Sequence, residues 1–241
     1  MGQTIVVTGA SRGIGRAIVE HFAARDSSHR FILLSRTYPD ELRGKPAVSH
    51  HSCDLGTEAG IESAIKFIKN STDQIQLLVN NAGQLLPDEA FATASYADFH
   101  RSFTLHATAH FILARECSPL FNKGSDNLIV NIGSIYGNIA DPYAVAYVAS
   151  KACVPIITQL LARELAPDVR VNAILPGHVD TPMTANAPTE YLQDVISKTP
   201  VGRLGSATEV ASLVEFLWSA EARFITGSII RIDGGFWNTA P

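Results

Sequence analysis

Cysteine is scarce in this chain and poorly placed for bridging: three residues in 241, at Cys53, Cys117 and Cys153. They are far apart and show no Cys-x-x-Cys spacing. That argues against a disulfide framework and a zinc site, and suits a reducing, cytoplasmic location. Charge is sparse too, at 17% of residues with a formal net charge of −4. Like charges never gather in blocks longer than two or three, so neither a nucleic-acid surface nor a polybasic membrane patch is expected. No unbroken apolar run approaches the ~18 residues of a membrane span, and none is expected. The opening MGQTIVVTGAS carries no basic n-region or cleavage site and runs directly into a strand. Linkers, internal repeats and low-complexity tracts are missing, which leaves one domain over 1–241.

What is present is apolar and regularly alternating. Hydrophobic residues make up 46% of the chain, enough for a large core. Short β-branched or apolar runs at 4–8, 31–34, 47–53, 76–79, 127–132, 169–175 and 228–232 read as strands. Helical spacing follows Gly13, then fills 57–69, 97–121, 144–165 and 208–219. Strands of this kind between helices call for a parallel sheet covered on both faces. Residues 178–205 are rich in Thr, Pro, Ala and Asn without a firm period, and their length suits a substrate lid.

The first strand leads into Gly9-Ala-Ser11-Arg12-Gly13-Ile14-Gly15 and a helix. Strand, glycine-rich turn and helix form the context of a dinucleotide site, where free N–H groups and the positive dipole end meet a pyrophosphate. The second strand ends at Ser35-Arg36 with no acid to bond a ribose 2′-OH. Arg36 and Arg12 together suit a 2′-phosphate, which favours NADP(H) over NAD. Asp54-Leu55, after the third strand, could flank an adenine. Asn80-Asn81-Ala82-Gly83 closes the fourth.

Ser134 follows the fifth strand, and Tyr147 and Lys151 lie at i and i+4 on a helix, sharing one face. A free phenol titrates near ~10, too high for ready exchange at neutral pH. A cation about 4 Å away at an effective dielectric of ~20 favours the phenolate by roughly 4 kcal/mol. Lysine beside tyrosine is therefore a tuning device for acid/base work. His106 and His110 have the spacing of a zinc pair, but no third ligand accompanies them and no metal is expected.

Taken in order, these motifs resemble the short-chain dehydrogenase/reductase family from end to end. Thr8-Gly9-x-x-x-Gly13-x-Gly15, Asn80-Asn81-Ala82-Gly83, Ser134…Tyr147-x-x-x-Lys151, Pro176-Gly177-x-Val179-x-Thr181 and Asp233-Gly234-Gly235 carry the resemblance. The resemblance implies a Rossmann-type doubly wound α/β domain with a seven-stranded parallel sheet in order 3-2-1-4-5-6-7. It implies that Tyr147 protonates a substrate carbonyl oxygen, Ser134 hydrogen-bonds it, and Lys151 binds the nicotinamide ribose and relays protons. Val179 and Thr181 would meet the carboxamide, and Asn81, Ala82 and Gly83 the adenosine ribose. The opening and closing motifs are similar to those of 3-oxoacyl-carrier-protein and carbonyl reductases. A homodimer or homotetramer is implied, packed through the long helices or the segment with Phe236 and Trp237.

Two departures stand out. His106 falls where the family has an asparagine that joins the lysine to a water; it could hold that water or shuttle protons with a pKa near ~6.5. Pro155 lies in the helix of Tyr147 and Lys151, cannot donate to the carbonyl of residue 151, and should bend it. The expected activity is NADPH-dependent reduction of a ketone, aldehyde or 3-oxoacyl carbonyl. The alternatives are an NAD(P)+-dependent alcohol dehydrogenase and a cofactor-sensing protein without catalysis. Leu85, Leu86, Ile135, Tyr136, Tyr143 and Met183 suggest a hydrophobic substrate.

Overall fold

Seven parallel strands order as β3-β2-β1-β4-β5-β6-β9, the doubly wound arrangement expected. They are β1 (Thr4–Thr8), β2 (Arg30–Ser35), β3 (Val48–Ser52), β4 (Leu77–Asn80), β5 (Asn127–Ile132), β6 (Val169–Pro176) and β9 (Ile229–Ile232). The computed structural model describes residues 2–42, 47–86, 90–123, 126–142, 144–185 and 187–238. Tyr143 therefore lies outside the described residues.

The register shows why the central strands are apolar throughout. Val6, Leu78, Ile129 and Val171 face each other across β1, β4, β5 and β6 and build one core layer. Their neighbours Ile5, Val7, Leu77, Val79, Leu128 and Val130 point to the opposite layer, as a period of two requires. Each such side chain contributes ~1.5–3 kcal/mol on burial. Helices α1 (Gly13–Arg25) and α8 (Ala207–Trp218) pack together over one face. On the other lie α2 (Glu58–Ser71), α4 (Ala109–Cys117) and α6 (Cys153–Leu165). Thr57 caps α2 through the Gly60 N–H, and Ser206 with Glu209 forms a capping box on α8.

Three helical expectations change. The single helix over 97–121 is α3 (Tyr96–Phe103), a π-helical stretch Thr104–Thr108, then α4 and a 3-10 turn Ser118–Leu120. The π stretch holds His106, and such bulges often mark functional sites. The helix over 144–165 breaks at Ala152 into α5 (Val145–Lys151) and α6, with Pro155 in the first turn of α6. At this break Gly137 approaches the Lys151 carbonyl so closely that a Cβ there would stand 2.8 Å from it. Residues 178–205 are not structureless: α7 spans Thr189–Lys198, and β7 (Val179–Asp180) pairs with β8 (Gly205–Ser206). Only Val195 of α7 is buried, although Leu192, Val195 and Ile196 stand at i, i+3 and i+4, the apolar period of a helix.

The 21-residue stretch Val145–Leu165 is, by length and composition, apolar enough to cross a membrane, with a mean hydropathy of 1.5 in an 18-residue window. Ser150, Lys151, Thr158 and Gln159 interrupt it, so it is not an unbroken apolar run, and the core helix of a soluble protein passes the same test. The stretch owes this to a core-facing stripe plus an outward one. Val154, Thr158 and Leu161 are buried against the sheet, while Ile156 and Leu160 are exposed.

Candidate active site

The carboxyl ends of β1, β4, β5 and β6 open onto one cleft of about 880 Å³, at the switch point where open α/β sheets bind ligands. Its β1 wall is built by reciprocal locking. Thr8 Oγ1 accepts the Asn81 and Ala82 N–H groups at 2.8 and 2.9 Å, and Asn81 Nδ2 donates to the Thr8 and Gly9 carbonyls. Gly9 adopts φ +66°, and a Cβ there would lie 2.8 Å from Ala82 Cα. The turn therefore requires glycine on two counts. The first turn of α1 carries no capping side chain and no acid, leaving its N–H groups available to an anion. The residues present fit a dinucleotide.

Every residue assigned to the cofactor lines this cleft except Gly15. A Cβ on Gly15 would meet Asn81 Nδ2 and the Gly9 carbonyl oxygen at 2.5 Å, so its role is packing behind the turn. Arg12 and Arg36 both face the cleft, and Arg36 Nη1 donates to Gln84 Oε1 at 3.1 Å. Thr181, just after β7, stands over Gly13, 3.5 Å from a Cβ built there.

Ser134, Tyr147 and Lys151 converge on the same cleft. Ser134 ends the β5 segment and accepts the Tyr136 N–H at 3.1 Å. Lys151 is 3% exposed; its Nζ donates to the Ile132 carbonyl at 2.9 Å and stands 5.9 Å from the centre of the Tyr147 ring. Burial pushes the Lys151 ammonium down to about 7. The lysine is therefore a titrating group near neutral pH in the cofactor-free protein, as desolvation of an ammonium requires.

His106 corrects a second expectation. It is fully buried behind the cleft and does not line it. The Gln84 N–H donates to Nε2 at 3.1 Å, and Nδ1 lies 2.8 Å from Ser150 Oγ. A backbone N–H can only donate, so Nε2 carries the lone pair and the proton sits on Nδ1. Ser150 in turn donates to the Tyr147 carbonyl at 2.9 Å. Burial, with Lys151 and His110 nearby, holds the ring well below the usual histidine range. His106 thus stays neutral with both nitrogens engaged: it neither shuttles a proton near ~6.5 nor offers a nitrogen to a water.

Other positions also differ from expectation. Leu85, Leu86 and Met183 line the cleft, but Ile135 is fully buried in the core beside Phe236 and Val195. Tyr136 turns away to bond His178 Nε2 at 3.2 Å, and that nitrogen meets the Tyr191 hydroxyl of α7 at 2.9 Å. Phe236 is 7% exposed, which removes it from the expected subunit contact. Sequence reasoning missed Gln84, Arg101, and the buried Asn80–Asn131–Thr158 chain that ties β4 and β5 to α6. Polar residues inside apolar runs at Asn131 and Thr158 were the available signal.

Residues 9–237 match the family model described as enoyl-(acyl carrier protein) reductase. The 3-oxoacyl-(acyl-carrier-protein) reductase FabG of Aquifex aeolicus is 35% identical over 246 aligned positions, covering 98% of each chain. The chain belongs to the short-chain dehydrogenase/reductase family. It is thereby an oxidoreductase. Solved family members agree with the fold. 4-Hydroxyisoleucine dehydrogenase complexed with NADH superposes at a TM-score of 0.90 with 28% identity over 98% of each chain. Ligand-free Thermoplasma acidophilum aldohexose dehydrogenase gives 0.87 at 32% identity, over 100% of this chain and 96% of its own.

Proposed function

We propose that this short-chain dehydrogenase/reductase catalyses NADPH-dependent reduction of a hydrophobic ketone, aldehyde or 3-oxoacyl compound to the alcohol. The observation that carries the reading is the shared cleft: Ser134, Tyr147 and Lys151 line it together with Arg12 and Arg36. A bound reduced nicotinamide supplies the two electrons. Tyr147 gives the proton to the carbonyl oxygen, and Ser134 donates a hydrogen bond to that same oxygen, favouring the charge that develops there. Lys151, titrating near neutrality, binds the ribose and restores the proton to Tyr147. Leu85, Leu86 and Met183 give the substrate end its apolar character. The relatedness to a 3-oxoacyl reductase supports this direction, and the dehydrogenase neighbours support the reverse reaction as the second reading.

The partner is a second copy of the chain. Phe111 on α4 and Ile156 and Leu160 on α6 are 39%, 54% and 52% exposed. Ile156 and Leu160 share a face at i and i+4, the apolar stripe that a homodimer would cover.

Fluorescence titration with NADPH and NADH, wild type against Arg36→Ala, tests the cofactor. Tighter NADPH binding that collapses in the variant supports the reading. Equal affinities unchanged by the substitution contradict it.

A further inference from the structure

Arg101 reaches the cofactor cleft from α3, and no motif pointed to it. Its Nη2 contacts both oxygens of Asp54, at 2.9 and 3.2 Å. Asp54 Oδ1 also accepts the Gly56 N–H at 2.9 Å. Gly56 leaves room for the guanidinium: a Cβ there would stand 3.1 Å from Arg101 Cζ and Nη1 and 3.2 Å from Asp54 Oδ1. Both partners line the cleft, Asp54 at the tip of β3 and Arg101 opposite. The pair is half-buried, at 30% and 37% side-chain exposure. Hydrogen bonds from Gly56 and Arg101, with Arg36 adding its field, hold the Asp54 carboxyl below the usual range despite partial burial. Asp54 is therefore an anion within the field of two arginines.

A carboxylate at this place would repel a ligand phosphate, and that repulsion must be offset if the cleft takes a 2′-phosphate. Among the described residues lining the cleft are three guanidiniums (Arg12, Arg36, Arg101) and one carboxylate, Asp54. Arg101 takes up the carboxylate, so Arg12 and Arg36, the latter also donating to Gln84 Oε1, are not drawn onto Asp54.

We infer that Arg101 is a specificity-determining residue for a phosphorylated dinucleotide: it neutralises Asp54, and so permits Arg12 and Arg36 to hold a 2′-phosphate. The inference rests on the NADPH reading above and assigns its selectivity to a residue that need not touch the phosphate. Its effect is electrostatic, so it discriminates between cofactors by charge and weakens with salt.

The test is equilibrium binding of NADPH and NADH, by fluorescence, to wild type, Arg101→Ala, Asp54→Asn and the double variant, with circular dichroism to check folding. Arg101→Ala is expected to weaken NADPH about tenfold and NADH less than twofold. Asp54→Asn added to it is expected to restore most of the NADPH affinity, because the repelling charge is gone. Arg101→Lys keeps the charge and should retain most of the preference. An NADPH-to-NADH ratio unchanged by Arg101→Ala overturns the inference whatever the wild-type ratio is. So does a loss in Arg101→Ala that Asp54→Asn does not relieve. A wild type without NADPH preference contradicts the cofactor reading itself, which the wild-type titration alone reports.

Discussion

The Gln84 N–H donates to His106 Nε2 at 3.1 Å, and this one bond decides what the histidine can do. It fixes the tautomer, directs Nδ1–H at Ser150, and through Ser150 reaches the carbonyl of Tyr147. Gln84 also holds Arg36 through its side chain. The loop after β4 is thus braced against the turn that carries the phenol, and His106 is the brace.

A neutral, Nδ1-protonated His106 should be visible directly. Two-bond 1H–15N spectra are expected to show that tautomer unchanged from pH 8 to pH 5, while exposed histidines titrate. Replacement by Leu leaves the Gln84 N–H unpaired and removes one of the two bonds of Ser150, and should destabilise the protein by about 1–3 kcal/mol. A ring that titrates near 6.5 contradicts the assignment.

Acid should weaken the fold before the carboxylates protonate. Burial pushes His110 down from 6.5 to about 3, and His106 shifts the same way. Below 6.5 the unfolded chain takes up protons that the folded chain refuses. Stability therefore falls as pH drops, by up to about 1.4 kcal/mol per pH unit for each ring, until the folded pKa is reached. Urea unfolding at pH 7, 6 and 5 measures the slope, and His110→Phe should flatten it.

Lys151 exerts the same pressure at higher pH. Its folded value of about 7 lies below its ordinary 10.5, so stability falls as pH drops from about 10 to 7 and the full penalty is felt below that. Lys151→Met is expected to raise the unfolding free energy of the cofactor-free protein at pH 7, at most by about 5 kcal/mol. The same variant should lose turnover. Equal or lower stability would show that the Ile132 carbonyl satisfies the ammonium fully.

Much of this was legible in residue order. The central strands are apolar on both faces because both are covered, and the glycine turn, Ser134, Tyr147 and Lys151 announce themselves by spacing. What could not be read had a physical reason. The π stretch around His106 keeps nearly the same apolar period as the α-helix that flanks it. Helix α7 does carry a helical period in Leu192, Val195 and Ile196, but it is only ten residues long and lies among Thr, Pro, Ala and Asn, which mask it. Gly15 belongs to the motif yet serves packing, and Arg101 enters the cleft only through a tertiary ion pair. Nothing local separates Ile135 from a substrate-facing residue or Phe236 from a subunit contact, because the small core they form with Val195 is assembled only in three dimensions.

The central claim is that Tyr147 protonates a carbonyl while the same cleft holds reduced cofactor. Single-turnover oxidation of bound NADPH on mixing with a panel of hydrophobic ketones and 3-oxoacyl thioesters tests it most directly, in wild type and Tyr147→Phe. The account predicts cofactor oxidation by wild type with at least one of these. It predicts loss by about 10²–10⁴-fold in the variant, whose NADPH affinity stays within a few-fold. Equal rates in the two proteins, or turnover only of alcohols with oxidised cofactor, would contradict it.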